Sequence, residues 1–275
     1  MKVSRIMTRE AISVAPECPL DEAIRLFESC RFRHLPVAEK GKLVGLISDR
    51  DIALTTGWIL AAYRQGEDAS GPSRVEEIMR RDIRSLGPGD PLSEAAAIAL
   101  DHRIGAIPIV SHGELEGIVT TTDLLRACHA ADADSDWRVP EGMSVRDAMT
   151  KDVRTASPDM LMEAAIDLCQ QDSIRHLPVV EDGALVGMVS DRDLRFGLGQ
   201  EIVSDMLAQE EGRLEVPQTP LSALMSLEVV TIGEAESLGR ATEVMLEHGF
   251  SALPVLKDGR LVGILTNTDI LRSCA

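Results

Sequence analysis

One unit is written four times along the chain, and this limits what it can fold into more than any other feature. Met7, Met79, Met149 and Met225 open equivalent segments. A proline follows each after 29 residues (Pro36, Pro108, Pro178, Pro254), a glycine after 9 more (Gly45, Gly117, Gly187, Gly263), and an aspartate after another 6 (Asp51, Asp123, Asp193, Asp269). The spacing holds over 45 positions with no insertion or deletion. A unit of this length buries too little surface to be stable alone, so neighbouring units must pack on one another.

A second period overlies the first. Repeats 1 and 3 share Arg-His-Leu-Pro-Val (Arg33–Val37, Arg175–Val179) and Ser-Asp-Arg-Asp (Ser48–Asp51, Ser190–Asp193). Repeats 2 and 4 place Gly105-Ala106 and Ser251-Ala252 before the proline and close on Thr120–Asp123 and Thr266–Asp269. The order odd, even, odd, even reads as a duplicated pair. The expected repeats are 1–57, 72–130, 142–198 and 218–275, within modules 1–138 and 139–275. The module boundary falls near Asp132–Glu141, a polar stretch containing Pro140.

Each unit reads as strand, helix, strand, strand, helix, an α/β repeat. Leu20, Ala23, Ile24 and Phe27 fall on one helical face. Asp90-Pro91 predicts an N-cap followed by proline at the first helical position. Glu181-Asp-Gly-Ala184 between two apolar runs predicts a hairpin turn. The last aspartate of each unit stands where a strand gives way to a helix.

Composition removes several functions. With 28 Lys+Arg against 45 Asp+Glu the net charge is −17, and only seven residues are aromatic. Such a surface neither displaces counterions from nucleic acid nor offers a base-stacking platform. The opening MKVSRIMTRE lacks the apolar core of a signal peptide, and the uncharged stretch Ile52–Tyr63 is only 12 residues long. The five cysteines are scattered, odd in number and never spaced as C-x-x-C, which predicts reduced thiols in a cytoplasmic protein and no metal site. No P-loop, G-x-S-x-G or H-E-x-x-H motif is present, and the repeats with their connectors use up the chain. A non-catalytic protein is expected.

The pattern h-P-h-h-x-x-G-x-h-h-G-h-h-[ST]-x-x-D resembles the cystathionine-β-synthase (CBS) domain, a tandem pair of which forms a Bateman module. The resemblance implies two pseudo-two-fold modules joined in a disc of four domains, with clefts for adenosine-containing ligands: AMP, ADP, ATP or S-adenosylmethionine. It makes Asp51, Asp123, Asp193 and Asp269 ribose anchors and Ser48, Thr120, Ser190 and Thr266 the hydroxyls beside them. The chemistry is reasonable. An ionised carboxylate accepts hydrogen bonds from both ribose hydroxyls, while a hydroxyl and helix N-terminal amides meet phosphate. The same Ser/Thr-x-x-Asp is also a plain helix cap, and both readings stand at this point.

Before the proline and beside the anchor, cations recur only in the odd repeats (Arg33, His34 and Arg50, then Arg175, His176 and Arg192), while the even repeats keep His102, Arg103 and His248 earlier in the unit. Arginine chelates phosphate and histidine adds a charge that varies near neutral pH. These residues predict one phosphate-competent site per module, anchored by Asp51 and Asp193. The alternative is that the arginines pair with surface carboxylates. Ser13, Ser85, Thr155 and Thr231 stand six residues after each Met. The resemblance lets Ser13 and Thr155 touch base or phosphate, and strand-end capping is the other reading. Trp58–Tyr63 is a candidate docking segment, for its own module or for a second chain.

The layout resembles the γ regulatory subunits of AMP-activated protein kinase and their prokaryotic relatives. It implies a sensor that binds a nucleotide and signals to a regulated protein. A structural or oligomerisation module is the alternative, with a homodimer left open, and Mg²⁺ shared between bound phosphate and aspartates is a third reading.

Overall fold

The computed structural model describes residues 1–30, 32–52, 71–131, 137–194, 197 and 219–274. Trp58–Tyr63 and residues 132–136 of the expected module boundary lie outside them. Among the described residues, no helix is long and apolar enough to cross a membrane.

Every repeat contains a helix followed by an antiparallel hairpin. The helices are α1 (Leu20–Cys30), α3 (Leu92–Asp101), α6 (Met162–Gln171) and α7 (Leu238–His248). The hairpins are β2 (His34–Glu39) with β3 (Lys42–Ser48), β4 (Ala106–Ser111) with β5 (Glu114–Thr120), β6 (His176–Glu181) with β7 (Ala184–Ser190), and β9 (Ala252–Lys257) with β10 (Arg260–Thr266). Helices α4 (Thr121–His129) and α8 (Asn267–Cys274) close the even repeats. Two single turns, α2 (Val75–Ile78) and α5 (Val145–Ala148), and short strands β1 (Thr8–Arg9) and β8 (Ile232–Gly233) complete the labelled elements.

Local chemistry explains these elements. The turn of β6–β7 has φ of 51° at Asp182 and 81° at Gly183, the left-handed pair that Asp-Gly adopts at low cost. The other hairpins repeat it at Lys40-Gly41, His112-Gly113 and Asp258-Gly259. On α1, Ala23 and Phe27 of the expected face are buried, with Leu20 and Ile24 half-buried. Two details differ from expectation. The first strand of repeats 1 to 3 contracts to single bridges, Val14–Val37, Leu86–Ile109 and Ala156–Val179. Asp90 does not cap α3. Its carboxylate accepts from the Gly87 amide at 2.7 Å, and Pro91 takes the N-cap position.

The repeats exchange their opening segments. Val3 and β1 pack on repeat 2, where β1 pairs with β5, while α2 and Met79 pack into the core of repeat 1. In the second module, Val145 and Met149 join repeat 4, and Leu221 and Met225 join repeat 3. The recurring methionine and glycine thereby meet. A Cβ at Gly45 would strike the Met79 sulfur, one at Gly187 the Met225 sulfur, and one at Gly263 the Met149 sulfur.

Burial then divides the odd repeats from the even ones. Repeats 1 and 3 each have a separate core, whereas repeats 2 and 4 share a continuous one that includes Trp137. Cys128 at the end of α4 and Cys274 at the end of α8 form a disulfide across this interface. The expectation of reduced thiols throughout is therefore wrong for this pair. Their separation of 146 residues gives no local signal, because only the meeting of two modules brings them together. Cys18, Cys30 and Cys169 are free.

Candidate functional site

The four aspartates share one local geometry. Asp51 Oδ2 accepts from the Ser48 amide at 2.9 Å and its hydroxyl at 2.5 Å. Asp123 does so from Thr120 at 2.9 and 2.6 Å, Asp193 from Ser190 at 2.8 and 2.7 Å, and Asp269 from Thr266 at 2.8 and 2.6 Å. In repeats 1 to 3 the aspartate amide donates back to the Ser or Thr hydroxyl at 3.3 Å. The helix-cap reading thus holds at every position, each cap occupying Oδ2.

The other oxygen differs between repeats. Asp51 Oδ1 accepts from Arg80 Nε at 3.0 Å. Asp123 Oδ1 lies 3.4 Å from Arg126 and Asp269 Oδ1 3.8 Å from Arg272, each one turn along its own helix. Asp193 Oδ1 has no such partner among the described residues. Asp51 and Asp269 are buried, while Asp123 and Asp193 are half-buried.

The cations expected to serve two separate sites, one per module, converge on one place. Arg33 donates to Ser251 Oγ at 3.4 Å and Arg175 to the Arg103 carbonyl at 3.3 Å, each reaching an even repeat of the other module. Arg192 donates to the Phe32 carbonyl at 3.4 Å. His176 Nε2 stands 3.0 Å from Ser251 Oγ. The His34 ring lies against Gly105, where a Cβ would come within 2.7 Å of Cε1. The pre-proline positions of all four repeats therefore meet at the centre, and glycine and serine in the even repeats leave room for arginine and histidine from the odd ones.

Electrostatics at this centre correct one expectation. Burial pulls His34 down to about 4, reinforced by Arg175 and Arg33 and opposed by Asp51. His176 falls to about 4 through burial, then Arg33 and Arg175, with Asp193 opposing. Both imidazoles are neutral at neutral pH, not variably charged there. Crowded arginines make a second proton charge costly. Arg33 is itself lowered by burial, with Asp49 and Asp191 acting against Arg192 and Arg175. The cluster gathers Arg33, Arg175 and Arg192, with Asp49 and Asp191 near them, around two neutral, protonatable rings.

Other residues singled out in the sequence stand apart. Arg50 is exposed and makes no ion pair among the described residues. Ser13 and Thr155 are exposed and make no side-chain hydrogen bond among them, next to the bridge residues Val14 and Ala156. Two participants were missed. Ser251 carries no charge, yet it links Arg33 to His176. Arg80 follows the repeat-opening Met, where the other repeats have the hydroxyls of Thr8, Thr150 and Ser226, and that break in pattern was its one available signal.

Comparison with known proteins decides the family. The sequence profile described as "CBS domain" matches residues 3–55, 75–130, 145–199 and 221–275. The chain belongs to the CBS-domain family. Protein MJ1225 of Methanocaldococcus jannaschii is 26% identical over 282 residues, covering 99% of this CBS-domain chain and 97% of that one. Its solved structure, described as that of a candidate archaeal homologue of γ-AMPK, matches over 100% of both chains with a TM-score of 0.85. A structure from Pyrococcus horikoshii shares the four-repeat fold at a TM-score of 0.66 and 22% identity, covering 100% of both chains. The CBS domain-containing protein YhcV of Bacillus subtilis is 35% identical over 127 residues, 46% of this chain and 82% of YhcV.

Proposed function

We propose that this protein is a non-catalytic regulatory sensor. It binds adenosine-containing ligands (AMP, ADP, ATP or S-adenosylmethionine) in the clefts anchored by Asp51 and Asp193 and signals to a separate regulated protein. The observation carrying the proposal is the convergence of Arg33, Arg175 and Arg192 with His34 and His176 at one centre. Each histidine also feels the aspartate of its own repeat, Asp51 or Asp193. Asp49 and Asp191 offset part of the repulsion among these arginines, and a nucleotide held by its ribose at the aspartate adds a phosphate for them to bind.

Signalling follows from the asymmetric joint. Repeats 2 and 4 are fastened by a common core and a disulfide, while among the described residues repeats 1 and 3 keep separate cores and are linked by the Arg192 bond to the Phe32 carbonyl. A ligand that favours one spacing of the odd repeats shifts that side, in proportion to its difference in affinity for the two arrangements. We place the protein in the cytoplasm, with the Cys128–Cys274 bond, 1% and 4% exposed, shielded from the reductants there.

Thermal unfolding against AMP, ADP, ATP, S-adenosylmethionine and GTP, with and without Mg²⁺, tests the proposal. A site at 100 times its dissociation constant gains about 2.7 kcal/mol, so an adenosine ligand should raise the midpoint by several degrees while GTP does not. A second reading, a structural or oligomerisation module, draws on the finding that every Ser/Thr–Asp pair already caps a helix. An unchanged midpoint with every ligand, together with a concentration-dependent dimer, would establish that reading instead.

A further inference from the structure

Asp51 and Asp193 occupy the same position in the two odd repeats and cap their helices alike, yet their surroundings differ. The strand carrying each cap is crossed by the segment opening the next repeat. In module 1, Arg80 N donates to Leu46 O at 2.9 Å and Leu46 N to Arg80 O at 3.0 Å. In module 2, Ser226 N donates to Met188 O at 2.9 Å and Met188 N to Ser226 O at 3.1 Å. Arg80 and Ser226 are therefore in the same register against equivalent hairpins. The Arg80 guanidinium holds Asp51 Oδ1 at 3.0 Å, with 63% of the Arg80 side chain exposed against 9% for Asp51.

We propose that Arg80, supplied by repeat 2, is a specificity-determining residue of the repeat 1 cleft and restricts it to phosphorylated nucleotides, a restriction the repeat 3 cleft lacks. This deepens the sensor reading and rests on Asp51 as ribose anchor. A ribose diol competes with Arg80 for Oδ1. A neutral nucleoside that wins leaves the guanidinium without its carboxylate and offers no anion in return. A nucleotide gives the displaced guanidinium a phosphate oxygen, and a charge-assisted bond replaces the one lost. Arg80 thus disfavours nucleosides and favours nucleotides through a single group. Ser226 provides neither effect.

Calorimetric titration with AMP and adenosine tests the inference in the full-length protein. Asp193→Ala silences the repeat 3 cleft, and Arg80→Ser or Asp51→Ala is added to it. Serine already stands at this register in module 2, so the fold accommodates it. With Arg80→Ser the AMP affinity should fall about tenfold or more while adenosine binds as well or better, collapsing the preference. Arg80→Lys should keep part of it. If Asp51→Ala abolishes binding at this cleft but Arg80→Ser leaves the AMP-to-adenosine ratio within twofold, the role of Arg80 is overturned and the ribose-anchor reading survives. If Asp51→Ala changes nothing, the anchor reading itself falls, and the inference with it.

Discussion

His34 and His176 show how a single residue type changes meaning with its neighbours. In the sequence, each is a histidine beside an arginine. In the fold, both stand among the arginines of two modules, with pKa values near 4 against an ordinary 6.5. The sign of the resulting pH dependence follows. Between about 4 and 6.5 the unfolded chain binds protons that the folded one refuses, so stability increases with pH there. The contribution is fully present above about 6.5 and is lost as pH falls towards about 4. Each imidazole contributes at most about 1.4 kcal/mol per pH unit in that window. Urea denaturation at steps between pH 7.5 and 4.5 should show the native protein losing more stability than His34→Gln/His176→Gln. Parallel losses in both would mean that the imidazoles are already charged in the fold.

At the scale of elements, the exchange of opening segments accounts for two of the repeated residues together. Methionine recurs because its flexible thioether fills the neighbouring repeat's hairpin, and glycine recurs because that hairpin must be bare where the segment crosses it. One position differs. At Gly117 an added Cβ would strike the Thr8 carbonyl, which is backbone, whereas at Gly45 it meets the Met79 sulfur at the mobile end of a side chain. Gly117→Ala should therefore cost about 1–3 kcal/mol by overpacking, and Gly45→Ala less. Chemical denaturation of both variants checks the order, and a cost at Gly45 equal to or above that at Gly117 would contradict it. The repeat, the apolar face of α1 and the Asp-Gly turn were legible because each is set by chemistry within a few residues, whereas the expected Asp90 cap was not, its carboxylate turning back to the Gly87 amide. The collapse of the first strand to single bridges was not, since it depends on where the exchanged segment lands. Arg80 also escaped notice, as a singular departure from a pattern read for its regularity.

Across the whole molecule, the side that joins repeats 2 and 4 and the side that joins repeats 1 and 3 are built on opposite principles. Apolar burial and a covalent bond hold the first, while arginines, histidines and carboxylates from both modules gather at the second. No property of a single repeat predicts which faces of two modules meet, so neither the common cation centre nor the Cys128–Cys274 bond was visible in a sequence whose cysteines lie far apart. The bond makes a strong prediction. Under denaturing, non-reducing conditions, thiol titration should find three of the five cysteines reactive. Closing a loop across 146 residues removes conformational freedom from the unfolded chain worth about 5 kcal/mol in the chain-entropy account. For a chain of this size that corresponds to a midpoint lower by on the order of ten degrees when the bond is absent. Cys128→Ser/Cys274→Ser should melt that much earlier, and a reductant should bring the native protein down to the same midpoint without affecting the variant. Because the described cores of the odd repeats are separate from the one the disulfide spans, the variant should still bind nucleotide and lose only the fixed side against which their movement is read. Five reactive thiols under those denaturing, non-reducing conditions would show that the even repeats are held by their core alone.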